Sequence, residues 1–379
     1  MRENKIPIKV LLVRRFVENP NTASYNRNQG IEKMLKNMYP CVIVKPEKPS
    51  YKTGNRYLNS IIEEVSFCWL LRKIFFLTKI RDFKYVVFLR SKSPLIALVT
   101  WIISKPLGIT LSIERNEYPS VYVKNSNRIK RWLYEKFVLS WHYRLFDVLF
   151  IMTDELIKFY GSHVKRATII RKLPMTVDFD RFEKVVGHTS DEYIFYTGSL
   201  DEQKDGIESL IHAFMEITKV LPSIKLKIAG GTKNGKSEAV IEKLISKLSL
   251  KGKIELLGLV DRDNIPLLIN SSKMLVLPRP DTIQARGGFP TKLGEYLASG
   301  KPVIVSNVGE IGKYLSKNEA YFISPDNIIR DLIDTVIEVN NNYERALEIG
   351  KNGKQKARKL FSLESNQSII YSAFEEAVS

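Results

Sequence analysis

Short apolar runs alternate with longer amphipathic stretches along this chain, and the alternation predicts strands and helices taking turns. In the first half, residues 8–13, 42–44, 85–89, 109–113 and 145–152 read as buried strands, with Ile169 and Ile170 closing the series. Helices are expected up to Met38, within 59–79, over 95–104 and 127–144, and near 155–160, and the polar stretch 45–57 reads as a loop. The second half repeats the plan, with strands at 193–196, 226–229, 254–257, 274–277, 302–306 and 321–323. Its helices begin near Asp205, Thr291 and Gly309, then cover 327–340 and 343–361, and a last one runs through FSLESNQSIIYSAFEEA. Such an order suits mostly parallel sheets covered by helices, an α/β chain of two domains. The domains are expected at 1–187 and 188–361, with a terminal helix at 362–379 and a hinge between about Asp180 and Glu192.

One stretch organises the rest: PRPDTIQARGGFPTKLGEYLASGKPVIVSNVG, residues 278–309. Gly287, Gly288 and Pro290 interrupt regular structure just before the helix at Thr291, and Gly300 with Pro302 ends it. A helix placed after such a loop aims unpaired backbone N–H groups at whatever lies above the sheet. On this helix Leu293, Tyr296 and Leu297 fall near one face, and Lys292, Glu295 and Ser299 toward another, so Glu295 can accept from ligand hydroxyls. An ordinary crossover loop and a solvent-facing Glu are the plainer alternatives.

Charge adds a lopsided field. The 379 residues carry a net charge of +18, and residues 1–190 hold all of the excess, with 34 Lys and Arg against 16 Asp and Glu; the rest hold 25 of each. The basic half suits nucleic acid, anionic lipid or a phosphorylated acceptor. No finger spacing, helix-turn-helix or stacking-strand motif supports nucleic acid, which favours a membrane surface or a lipid diphosphate, with a merely solvated basic face as the plainer alternative. Residues 127–144, NRIKRWLYEKFVLSWHYR, interleave cations with aromatics and suit a bilayer interface; 59–79 is too interrupted by charge to span one and reads as a core helix of the first domain with basic ends ahead of a second interfacial candidate. Two cysteines, Cys41 and Cys68, make no disulfide framework, and no secretory leader is read after Met1. Four His without ligand spacing imply no metal. The loop GGTKNGKS lacks Walker spacing and reads as a turn near a nucleotide, with Lys233 a donor-side candidate.

On the KLGEYLASGKPVIVS segment the chain resembles the retaining glycosyltransferases of the two-domain GT-B fold, family 4 type, which include bacterial surface-glycan enzymes. The resemblance implies two Rossmann-like domains facing across a cleft, the C-terminal helix crossing back to the first. Of the family's two glutamates at this helix, Glu295 matches the second, which binds ribose hydroxyls, and Gly287 stands at the first. After the strand at 193–196, Gly198 matches the family's glycine and Lys204 its diphosphate-binding lysine, while Ser199 replaces the usual arginine. Arg279 and Arg286 are possible helpers, with backbone N–H groups at Gly288 and Phe289. Val260 and Asp261 fall where relatives meet the base. In the first half, Ser24, Asn26, Arg27 and Asn28 are acceptor-side candidates, and Glu117 with Arg115 stands where relatives carry a sugar-facing His, the alternative being a buried ion pair.

The expected catalytic set is thus Lys204, Glu295 and Glu117. The implied reaction moves a hexose or related sugar from a nucleotide sugar, UDP-linked in preference to GDP-linked, to a lipid-diphosphate-linked saccharide or glycan. It needs no cofactor, and the resemblance implies a cytoplasmic enzyme peripheral on the inner face of the membrane. A noncatalytic glycan- or lipid-binding module, favoured by Gly287 and Ser199, is one rival. A nucleotide-dependent oxidoreductase is the other, although its dinucleotide fingerprint is absent.

Overall fold

Every strand pair among the described residues is parallel, as expected of Val- and Ile-rich runs buried on both faces. The structure is a computed structural model and describes residues 6–14, 23–44, 82–91, 93–123, 128–187, 192–231 and 235–379. The 45–57 loop, the 59–79 helix, Lys233 and the side chain of Ser24 lie outside the described residues.

The first sheet contains β1 (Ile8–Arg14), β2 (Cys41–Val44), β3 (Lys84–Arg90), β4 (Thr110–Arg115), β5 (Val148–Ile151) and β6 (Ile169–Lys172), in the order β2-β1-β3-β4-β5-β6. The second contains β7 (Tyr193–Thr197), β8 (Lys225–Ala229), β9 (Ile254–Gly258), β10 (Met274–Leu277), β11 (Val303–Ser306) and β12 (Tyr321–Ile323), in the order β12-β11-β10-β7-β8-β9. In that second sheet the direction of winding reverses between β7 and β10, where Met274 pairs with Ile194. The crevice above the carboxyl ends of two such strands is where ligands bind in doubly wound sheets.

The described residues fall into two compact units. One draws on Met1–Asn19, Ile31–Pro174 and Asn366–Ser379, the other on Pro20–Gly30 and Met175–Ser365. The sequence placed the boundary at Gly187; the units part at Pro174 because residues 175–187 are tied to the second one. Val177 N–H donates to Phe361 O (2.7 Å), and Asn270 Nδ2 donates to the carbonyls of Phe182 (2.9 Å) and Val185 (2.6 Å). The last helix, Leu363–Val378, carries its residues from Asn366 onward into the first unit. There Phe374 meets Phe150 of β5 at 5.8 Å and Tyr371 stacks on Tyr39 at 6.3 Å.

The second core forms where β7, β8, β10 and β11 present Ile194, Leu226, Val276 and Ile304 to two helices. The Ile207–Val220 helix contributes Leu210, Phe214 and Ile217, and the Ile328–Asn341 helix contributes Leu332, Val336 and Val339. Each such side chain stabilises the fold by about 1.5–3 kcal/mol relative to exposure.

Two elements depart from expectation in ways that matter for the site. The helix expected from Asp205 is divided: Glu202–Asp205 forms one turn, and Gly206 at φ 70° separates it from Ile207–Val220. A Cβ at Gly206 would lie 1.9 Å from Pro278 O, so the glycine lets this turn press against the end of β10. In addition, a short helix, Ile283–Gly287, occupies part of the loop expected before Thr291, capped by Thr282 Oγ1 accepting from Ala285 N–H (3.2 Å).

Candidate functional site

The carboxyl ends of β7 and β10 converge on a buried carboxylate, Asp205. Lys292 Nζ lies 2.7 Å from its Oδ2 and Arg279 Nε 3.5 Å from its Oδ1, while Ser199 N–H donates to Oδ2 at 3.2 Å. Arg279 also donates to the Lys204 carbonyl (3.3 Å). The side chains of Asp205, Arg279 and Lys292 are 2%, 6% and 15% exposed, so these charges interact with little solvent screening. Burial alone would raise the Asp205 pKa; Lys292 and Arg279 outweigh it and hold the carboxyl below its ordinary value. Burial lowers the Lys292 pKa, opposed by Asp205. Its own burial, with the same carboxylate beside it, pushes the Tyr196 phenol well up, so it stays neutral and donates to Ser199 O at 2.5 Å.

Local backbone makes this packing possible. Gly198 has φ 155°, its N–H donates to Ala229 O (2.9 Å), and a Cβ there would sit 1.8 Å from Lys292 Nζ. Thr197 N–H donates to Tyr296 Oη (2.8 Å), which fastens the end of β7 to the Thr291–Ser299 helix. Lys292, Arg279 and Lys204 surround one carboxylate, leaving positive charge over the switch point at the N-terminus of that helix. The arrangement can hold a diphosphate.

One turn along the same helix, Glu295 Oε1 accepts from Arg181 Nη1 (2.9 Å) and Asn26 Nδ2 (3.2 Å). Arg181 Nη2 donates to Arg262 O (2.7 Å) and Arg262 Nε to Asn26 Oδ1 (2.5 Å), closing a ring of polar groups. Both contacts fall on Oε1; among the described residues Oε2 accepts no hydrogen bond. A carboxylate oxygen in that state can take hydroxyl donors. Val260 stands half-buried two residues before Arg262.

The other expected residues are scattered. Gly288 N–H donates to Gln284 O (3.1 Å) at the end of the short helix, so this amide is engaged where the sequence had it facing phosphate. Phe289 is buried with its ring 5.5 Å from both Tyr314 and Phe361, a core position. Arg286 is exposed and pairs with Asp281 at 2.7 Å. Arg27 is buried and donates to Thr176 Oγ1 (3.1 Å). In the first unit Glu117 is exposed beyond the end of β4, its carbonyl accepting from Tyr160 Oη (2.8 Å). Among the described residues Arg115 takes no carboxylate partner: Nε donates to Tyr143 Oη (3.0 Å), Nη1 to Glu114 O (2.9 Å), and Nη2 lies 3.4 Å from His142 Nε2. The buried ion pair weighed for Arg115 and Glu117 is replaced by this aromatic cluster.

Sequence reasoning missed Asp205, Lys292, Arg181 and Arg262. For Lys292 a signal existed: a lysine in the first turn of a helix opposes the macrodipole, and a broken local rule marks a site that tertiary structure compensates.

Residues 178–356 match the model of the glycosyl transferases group 1 family. The chain has the GT-B fold and is related to that family. A solved glycosyltransferase from Rickettsia africae aligns over 98% of this chain and 99% of its own, with TM-score 0.72 at 15% identity. Sucrose-phosphate synthase from Thermosynechococcus elongatus aligns over 97% and 98%, with TM-score 0.70 at 14% identity. HepE from Anabaena, solved with UDP, aligns over 97% and 100%, with TM-score 0.65 at 12% identity. An uncharacterized glycosyltransferase of Methanocaldococcus jannaschii is 28% identical over 202 residues, 53% of each chain. One from Bacillus subtilis is 23% identical over 196 residues, 52% of each. The chain thus matches about half the length of these curated relatives. Among the described residues no group of three or more His, Cys, Asp or Glu could hold a metal ion.

Proposed function

We propose that this protein is a retaining glycosyltransferase that moves a hexose or related sugar from a UDP-linked donor to a lipid-linked or glycan acceptor in surface-polysaccharide synthesis. The observation that carries the reading is the Lys292–Asp205–Arg279 cluster at the switch point of the second sheet, one helical turn from the open oxygen of Glu295. Lys292 and Lys204, with the first-turn amides at Thr291 and Lys292, would take the diphosphate, and Gly198 leaves room for the Lys292 ammonium beside Ser199. Glu295 Oε2 would accept from ribose hydroxyls, and the backbone at Val260 would meet the base. UDP is favoured because it is the nucleotide bound in the HepE structure.

As the glycosidic bond to the diphosphate breaks, negative charge grows on the leaving oxygens, and the preorganised cations stabilise it. The leaving phosphate accepts the proton of the incoming hydroxyl, which attacks the same face of the sugar, so configuration is retained without a protein nucleophile. The acceptor falls to the first unit, where Glu117 stands at the ligand-side end of β4. Among the described residues no helix is long and apolar enough to cross a membrane, and the basic first half supports a peripheral place on the inner membrane face.

Incubation with a panel of UDP- and GDP-sugars and lipid-linked acceptors tests the reading. Sugar-dependent UDP release, with an α-linked product from an α-linked donor, is expected. Donor binding without turnover against every acceptor would instead identify a noncatalytic binding module.

A further inference from the structure

The segment expected as one helix over 127–144 is broken in the structure. An α-helix, Arg128–Tyr134, runs into a π-helical turn, Glu135–Leu139, and then a short helix, Ser140–His142. Leu139 lies one heptad after Trp132, and in an unbroken α-helix it would project within about 20° of it. The wider turn inserts one residue, which rotates the residues beyond it by about 100°. As a result Leu139 is buried in the first unit's core with Tyr143, Leu145 and Phe146. Meanwhile Ile129 (62% exposed), Trp132 (53%), Leu133 (41%) and Phe137 (59%) remain outside.

That exposed strip is flanked by cations. Within residues 128–144, Arg128, Lys130, Arg131, Lys136 and Arg144 are exposed, against one carboxylate, Glu135. Glu135 is itself engaged, 3.4 Å from Arg131 Nε and accepting from Tyr122 Oη at 2.5 Å. Lys136 Nζ stands 4.9 Å over the Trp132 ring, which keeps ammonium and indole at one level. Four large apolar side chains on one helix face cost free energy in water unless something covers them.

We propose that this helix and its π-turn form a membrane-docking surface whose occupant is the headgroup region of an anionic phospholipid bilayer. The apolar strip enters the acyl boundary and the flanking lysines and arginines reach phosphates. Charge complementarity selects that occupant over a protein partner, since lysine is depleted at protein interfaces whereas Lys130 and Lys136 border this strip. The π-turn has a role in it: it anchors the helix through Leu139 without drawing Trp132 and Phe137 inward.

Co-sedimentation of the full chain with phosphatidylcholine vesicles, with and without phosphatidylglycerol, tests this without donor or acceptor, so it stands or fails apart from sugar transfer. Binding is expected with phosphatidylglycerol vesicles alone, weakened by salt. The Trp132→Ser/Phe137→Ser double variant should bind at least about tenfold more weakly with unchanged melting temperature, because both side chains already face solvent. Lys130→Glu/Lys136→Glu should lose the preference for anionic vesicles. Absence of vesicle binding by the unmodified protein, or undiminished binding by both variants, overturns the proposal. So does a self-association of the unmodified protein that the first variant abolishes, which would make the strip an interface between copies.

Discussion

Lys292 Nζ sits 2.7 Å from Asp205 Oδ2, and the room it occupies is the room a side chain at residue 198 would need. A largely buried lysine at the start of a helix is thus held in place by one carboxylate and one missing Cβ. Lys292→Met is expected to lower kcat/KM for the nucleotide sugar by about 100- to 1,000-fold, the usual cost of losing one donor to a developing anion. Gly198→Ala should reproduce part of that loss by displacing the ammonium. Steady-state kinetics with a fixed acceptor checks both; wild-type values in Lys292→Met would remove the residue from the donor site.

Glu295 holds Arg181 and Asn26, and under the proposed function it also meets ribose hydroxyls, so its variants should separate the two roles. Glu295→Ala leaves Arg181 and Asn26 without their shared acceptor and is expected to cost about 1–3 kcal/mol of stability along with donor use. Glu295→Gln keeps an oxygen for Arg181, so its melting temperature should fall less while the donor KM rises. Thermal melts beside donor titrations distinguish the roles.

Gly294 faces the segment that ties the second unit together. A Cβ there would lie 2.3 Å from Val177 Cγ2 and 3.0 Å from Met175 Sδ. Gly294→Ala should therefore destabilise by about 1–3 kcal/mol through overpacking, despite its better helix propensity. Denaturant unfolding reads the change, and an unaltered midpoint would contradict the packing.

His142 gives the first unit an acid-sensitive step. Burial, with Arg115 beside it, lowers its pKa from 6.5 to about 3, so it is neutral when folded. Between those values the unfolded chain binds the extra proton, and stability falls as pH drops from about 6.5 toward 3, by up to about 1.4 kcal/mol per pH unit. Asp205 acts lower: its depressed pKa contributes stability above the ordinary carboxylate value near ~3.9, lost as pH falls through the folded one. His142→Gln should flatten the stability profile of the upper window while leaving the lower limb. Urea midpoints measured from neutral pH downward decide it.

The elements themselves were legible because their causes are local. Runs such as MLVL at β10 and VIVS at β11 are apolar enough to form buried strands wherever the chain goes, and Gly300, at φ 76°, ends its helix for reasons held in one residue. Glu295 could be singled out from helical periodicity and from resemblance. What the sequence could not reveal was which residues meet. Asp205 reads as an ordinary helix start, and only Gly206, by letting its turn press on Pro278 O, brings that carboxylate to Arg279 and Lys292. Arg181 and Asn26 come from two distant segments to one oxygen of Glu295, and Arg262 comes from a third to bridge them. Propensity and periodicity are properties of neighbours along the chain, whereas a charged site is made by strand order, and strand order is decided only when the sheet assembles.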